Sequence, residues 1–462
     1  MRSTVIALVV LGSIQSSVQM AEARTSALEA RLERVVAEAN IPAAAVAIVE
    51  SGRKTSFLLF GKAVTTRTPF RWGSVTKTFT AITLMKAAEA ANVSLETPLS
   101  DVVPRPVWEN PFAPQQPIRL SHLTELSAGM ADLTRRAFSD NRPLPLGQAL
   151  TEHGDSLVVR WPPGVTHSYT NASPGLSEAA VESLTGRPFE RAMTDLVFLP
   201  LGMTRAALSP VSGLPGGFRA DGQTSIPYWH NTFKAFGALN ASIAELAELL
   251  SALLRSGADV WSSPIQERLL RPHTGLAAEA GLHVGYAAGV YSRVVNGRVW
   301  HGHGGDADGY RSRYAFLPDA GRGYAVVINT DNPGVLRRME RLIERTLTNG
   351  LPAPPAASAH PVPTETLRAF TGCYYPVATR FSVPDWTAGR SAEACIHLEG
   401  EALRFEYGQT RTKLRPAGPG LFAREDDPLP TVALIQLEAG RYIVGELGTF
   451  RASEYRPPRR GN

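Results

Sequence analysis

Ser74 and Lys77 have the residue types and spacing that could do chemistry, standing three apart in Gly73-Ser74-Val75-Thr76-Lys77. The stretch that follows, Thr78 to Ala91, carries helix formers at apolar spacing and predicts a helix. Side chains three apart at a helix start share one face, so the amine can reach the hydroxyl. A serine hydroxyl becomes a useful nucleophile once a base takes its proton. A lysine can be that base when burial or nearby positive charge, such as the positive end of a helix, lowers its pKa. Taken alone, the same spacing also describes an N-cap serine followed by a solvated lysine. A second cluster, His301-Gly302-His303-Gly304-Gly305-Asp306-Ala307-Asp308, raises zinc as another chemistry. A metallo-hydrolase pattern would need an aspartate and a histidine where Gly305 and Asp306 stand, so no metal is expected.

The surroundings of Ser74 add a resemblance. Phe70-Arg71-Trp72-Gly73-Ser74-Val75-Thr76-Lys77-Thr78-Phe79-Thr80-Ala81 is similar to the nucleophile segment of the serine β-lactamase and penicillin-binding protein superfamily, in its branch with class C β-lactamases, DD-peptidases, D-aminopeptidases and esterases. A second motif of that branch, Y-x-N, matches Tyr169-Thr170-Asn171, and a third matches His303-Gly304-Gly305 in its histidine version. Further similar pieces are Leu123 to Met130, Phe198 to Met203 and Gly237 to Ser242, so the likeness spans about residues 28–348.

The resemblance implies that Ser74 attacks a carbonyl, Lys77 and Tyr169 move protons, and Asn171 holds the lysine and the substrate carbonyl. It implies an oxyanion hole from the backbone N–H groups of Ser74 and Asp306, with His303, Gly304 and Gly305 on a strand lining the cleft. Glycine is expected there because substrate must lie against the strand backbone. An acyl-enzyme would form and water would release it, with no cofactor. Ser127, without a lysine partner, and His122 read as structural residues.

Two departures bear on substrate. His303 stands where dedicated β-lactamases carry a lysine, and a histidine is mostly neutral above pH ~6.5. Asp306 and Asp308 would bring negative charge to the cleft and favour cationic substrates. The expectation is an esterase or a D-specific peptidase or amidase ahead of a true β-lactamase, with a small molecule or short peptide as substrate. The rival is a non-catalytic receptor for peptidoglycan fragments on the same fold.

Elements must position these residues. Residues Leu28 to Ala39 read as a helix, Ala43 to Val49 and Thr55 to Phe60 as a hairpin, and the middle to about Arg255 as mostly helical. Strand signals return over Val284 to Val295, Val299 to His301, Arg313 to Leu317 and Tyr324 to Asn329, with a closing helix over Val335 to Leu347. The expected fold is α/β: an antiparallel sheet flanked by helices, with a helical subdomain inserted between its first and last strands. Residues 350–363, rich in proline and alanine, read as a stiff linker between a hydrolase domain, 24–349, and a small all-β barrel, 364–462, resembling lipocalin-like barrels.

Composition narrows the class further. Hydrophobic residues at 44% and charged residues at 19% are those of a globular protein, long enough for two domains. Net charge is +5, but no basic run is interleaved with aromatic residues, so nucleic acid is not an expected partner. Met1-Arg2-Ser3, an apolar stretch from Val5 to Ile14 and Ala21-Glu22-Ala23 read as a signal peptide over residues 1–23. The mature chain is therefore expected to be periplasmic or secreted, without a membrane span. Cys373 and Cys395 either pair in that oxidising setting or remain two separate thiols.

Overall fold

A computed structural model describes residues 23–104, 107–257, 260–355, 357–378, 393–425, 427–446 and 448–452. Most of the expected leader falls outside the described residues, which begin in helix α1 (residues 23–38). Strands β1 (Ala44–Glu50) and β2 (Ser56–Phe60) form the first hairpin, and α2 (Thr76–Ala90) carries Lys77 in its first turn. Among the helices that follow are α3 (Ser173–Thr185) and α4 (Ile243–Leu254). Strands β3 (Tyr291–Val295), β4 (Arg298–Ala307), β5 (Tyr310–Leu317) and β6 (Arg322–Ile328) precede α5 (Pro333–Thr348).

The six strands make one antiparallel sheet in the order β2-β1-β6-β5-β4-β3. First and last strands are joined by the register Ala44↔Ile328 to Glu50↔Arg322, which brings ends of the domain almost 300 residues apart into one ladder. Both faces of β1 are buried, so its sequence Ala-Ala-Val-Ala-Ile-Val is apolar throughout rather than alternating. Ala45, Ala47 and Val49 join the core under the helical subdomain, while Ala44, Val46 and Ile48 pack with α1 and α5. On α5, Leu336, Met339, Ile343 and Leu347 recur at helical spacing on the buried side, and Arg337, Arg338, Arg341 and Arg345 are exposed. Helix α2 has no such stripe. It is buried almost all round, between the sheet and the inserted helices, and this fixes the segment holding Ser74 and Lys77 within the core.

One strand expectation needs correcting. Val284 to Val290 does not extend β3, because Gly285 and Gly289 take φ of +132° and +66°. A Cβ at Gly289 would lie 2.5 Å from the Lys77 carbonyl oxygen, so this loop is pressed against α2 where a side chain would not fit. Conversely, β4 runs on through His301 to Ala307, and the third motif lies within a strand.

The C-terminal part is a closed eight-stranded barrel: β7 (Gly372–Pro376), β8 (Ala394–Glu399), β9 (Ala402–Tyr407), β10 (Thr410–Gly418), β11 (Leu421–Arg424), β12 (Val432–Leu437), β13 (Gly440–Gly445) and β14 (Gly448–Ala452). Its interior is filled by side chains such as Tyr374, Phe405, Phe422 and Phe450, and the pocket beside them measures only about 20 Å³. Eight strands enclose about that much room for side chains. Ala433, Tyr442 and Val444 on its outside pack against Leu276 and Leu282 of the hydrolase domain.

Cys373 and Cys395 are register partners on β7 and β8 and are joined by a disulfide. A bond closing a 22-residue separation should hold the barrel by about 3 kcal/mol through the unfolded chain. Protein recovered from an oxidising compartment and unfolded without reductant should therefore show no titratable thiol, and reductant should lower the barrel's unfolding midpoint. Two free thiols under those conditions would contradict the pairing.

Candidate active site

The site begins at a tight turn. Strand residues Pro69–Arg71 pair with Asn240–Ser242, and the chain then enters a 3₁₀ turn, Gly73–Val75, that leads into α2. Trp72 is pinned within it, its backbone N–H donating to Leu239 O at 2.9 Å and its indole N–H to Ala241 O at 2.9 Å. Gly73 takes φ +52°, and a Cβ there would meet Asp306 O at 2.5 Å. A Cβ at Gly305 would meet Trp72 O at 1.8 Å. Two glycines on opposite segments thus let β4 press its backbone against the turn that carries Ser74. Ser312 Oγ, on β5, donates to Trp72 O at 2.9 Å and ties the two together. The need for glycine at 305 therefore comes from the Trp72 carbonyl rather than from bound substrate.

Lys77 is buried beneath Ser74. Its Nζ lies 3.1 Å from Ser74 Oγ, 2.7 Å from Asn171 Oδ1 and 3.0 Å from Phe236 O, and 4.8 Å from the centre of the Tyr169 ring. Asn171 Oδ1 and Phe236 O can only accept. A neutral amine has two N–H bonds to satisfy them, and its lone pair is then left for the Ser74 hydroxyl proton. This arrangement can deprotonate a serine.

Each partner of Lys77 is held in turn. Asp132, buried, accepts the Asn171 backbone N–H at 2.7 Å and lies 3.4 Å from its Nδ2, which orients the amide so that Oδ1 faces the lysine. Glu178 on α3 accepts the Ala235 N–H at 2.7 Å and steadies the Lys234–Phe236 turn, and burial pushes its carboxyl up to about 8. Gly175, also on α3, leaves room for the Phe233 ring, which a Cβ would meet at 2.7 Å.

Ser74, Tyr169, Asn171, His303, Gly304, Gly305 and Asp306 line one cleft of about 530 Å³, with Lys77 behind Ser74. Among the described residues β3 pairs with β4 only as far as Gly302, so residues 303–307 present an outer edge without a strand partner. That edge is open for an extended substrate to lie along. The Asp306 backbone lies against Gly73, the residue before Ser74, and both Ser74 and Asp306 line the cleft.

His303 is fully buried. Its Nδ1 lies 2.6 Å from Gly304 O, which can only accept, so Nδ1 carries the proton and Nε2, at 3.1 Å, accepts from Tyr286 OH. Burial, the largest cause, lowers its pKa to about 3. Its burial and its two hydrogen bonds favour the neutral ring, which offers the cleft no cation. His301 points elsewhere, with Nδ1 3.1 Å from Ser292 Oγ. Ser127 Oγ bonds Thr274 Oγ1 at 2.8 Å, and His122 Nδ1 accepts the Arg119 N–H at 3.2 Å.

The expected negative mouth is corrected by Arg311. Asp306 and Asp308 do line the cleft, but Arg311 Nη1 is 2.5 Å from Asp306 Oδ1 and the same guanidinium bonds Asp331. Arg71 also lines the cleft, within the field of Asp308. Carboxylates and guanidinium groups offset one another, so no strong preference for cations follows.

Sequence comparison decides the family, since the model of the Beta-lactamase family matches residues 28–348, more than half of the chain. The chain belongs to the Beta-lactamase family. Within the Beta-lactamase family, a Beta-lactamase of Yersinia enterocolitica is 29% identical over 174 residues, 35% of this chain and 41% of that one. Penicillin-binding protein 4 of Amycolatopsis lactamdurans is 29% identical over 203 residues, 40% of this chain and 49% of that one. The chain thus spans less than half the length of these two relatives. A crystal structure of SurE with D-Leu shares the fold at TM-score 0.58 and 21% identity, covering 93% of this chain and all of that one.

Proposed function

We propose that the chain is a serine hydrolase that forms an acyl-enzyme on Ser74, with Lys77 and Tyr169 moving protons and the Ser74 and Asp306 N–H groups receiving the oxyanion. The observation that carries this reading is the Lys77 amine, held by two acceptor-only oxygens within 3.1 Å of Ser74 Oγ. We further propose that its substrates are esters, amides or D-amino-acid peptides ahead of β-lactams. Support comes from neutral His303, which lacks the permanent cation that would hold an anionic β-lactam. It comes also from the fold shared with a protein solved with D-Leu. The leader-like N-terminal sequence supports action outside the cytoplasm.

The test is a panel of an activated acetate ester, a D-alanyl amide and a cephalosporin, compared by kcat/KM. The ester and the D-amide should exceed the cephalosporin. A cephalosporin turned over fastest would establish the β-lactamase reading, and folded protein inert to all three would establish the binding-protein reading.

A further inference from the structure

Tyr169 and Tyr291 belong to two cavities. One is the catalytic cleft; the other, of about 280 Å³, lies between the hydrolase domain and the barrel. Its hydrolase side includes Val165, Leu276 and Ala277 with the Tyr286 ring, on which His167 stacks at 4.6 Å. Its far side is barrel, with Val444 and Thr449 from β13 and β14. The wall is firm because Val444 packs with Leu276 and Leu282 in one buried cluster.

We propose that this cavity is the subsite for the leaving-group side of the substrate, and that it selects an uncharged apolar or aromatic substituent. The inference rests on the serine hydrolase reading, in which Tyr169 hands its proton to the departing group, so that group passes the residue both cavities share. Size and charge give the class. At about 280 Å³ the cavity sits just below the ~300–1,000 Å³ of pockets that hold whole ligands, and suits one substituent of a longer molecule. Its charged groups are already engaged. Glu446 pairs with Arg424 at 2.6 Å, and Arg293 pairs with Glu344 and, at 3.8 Å, with Glu340. Glu125 takes three hydrogen bonds on Oε2 and faces Arg268 at 3.6 Å through Oε1. A charged substituent would find no free counter-ion, whereas an apolar one would cover the half-buried side chains of Val165 and Ala277. The barrel, whose own interior is packed, would then act on specificity through its outer surface.

Ethyl acetate and 2-phenylethyl acetate present the same acyl group with small and large leaving alcohols. In full-length protein, Ala277→Phe from the hydrolase side and Thr449→Phe from the barrel side should each lower the ratio of kcat/KM for the phenylethyl ester over the ethyl ester about tenfold or more. Calorimetry with 2-phenylethanol should show binding to wild type that both substitutions weaken. An unchanged ratio in both variants, or alcohol binding that is absent or insensitive to both, would overturn the subsite. Wild type inert to both esters, to the D-alanyl amide and to the cephalosporin, yet binding the alcohol in a way both substitutions abolish, would fell the hydrolase reading and leave the cavity as an apolar binding site only.

Discussion

Ser74→Ala should abolish covalent labelling of the protein by a fluorophosphonate or an activated ester, and with it all turnover. In wild type the added mass should map to the tryptic peptide holding Ser74, measured by mass spectrometry. Lys77→Ala and Tyr169→Phe should leave the nucleophile but slow acylation by ~10²–10⁴-fold, the usual worth of positioned proton transfer. The two losses should not add, because Lys77 Nζ lies over the Tyr169 ring and both would handle the same proton. Lys77→Ala also strands the buried Asn171 Oδ1 and Phe236 O acceptors, at ~1–3 kcal/mol each, so labelling rates must be compared at equal folded fraction. Label appearing on Ser127, whose hydroxyl is bonded to Thr274, or full turnover by Ser74→Ala, would reject the mechanism.

Gly305→Ala should cost nearly as much activity without touching any group that handles a proton. The new Cβ would fall 1.8 Å from Trp72 O and 2.4 Å from Ser312 Oγ, so β4 and the nucleophile turn must part. Overpacking of this kind costs ~1–3 kcal/mol of stability. Displacing the two oxyanion donors by about an ångström should lower kcat by ~10²-fold. Gly304→Ala is the control, since its Cβ would meet Arg313 Nη2 at 3.2 Å and Tyr291 OH at 3.3 Å, side-chain ends that can give way. Thermal unfolding and kcat measured on both variants check the contrast. Equal effects at the two positions would show that the close approach at Gly305 is not what holds the site.

Several parts of this arrangement were legible in the chain itself, and for local reasons. Ser74 and Lys77 face one another because they stand three apart where the 3₁₀ turn runs into α2. The β1–β2 hairpin and α5 are written in apolar spacing that depends on near neighbours only. The pairing of Asp306 with Arg311 was legible too, since Asp308-Gly309 is a hairpin turn and sets 306 opposite 311. With Arg311 paired to Asp306, the cleft is less negative than Asp306 and Asp308 alone would make it. Val284 to Val290 misled in the other direction. Its alternating apolar residues resemble a strand, yet Gly289 must approach the Lys77 carbonyl, a demand set by α2 more than two hundred residues earlier.

By itself the sequence carried the family-like motifs around Ser74 and Tyr169, the β1–β2 hairpin, α5 and the proline-rich stretch before the barrel, each of which rests on residue types close together in the chain. Only the tertiary structure decided how the lysine is held, through Phe236 O and through Asn171, itself oriented by Asp132, at separations of 159, 94 and 39 residues. It also decided that His303 is neutral, because burial and a Tyr286 hydroxyl determine its state rather than its neighbours in the chain. Spacing along a chain records what adjacent residues can share. Desolvation and close approach of distant backbones depend on what the fold packs against them, and those are the forces that shape this cleft.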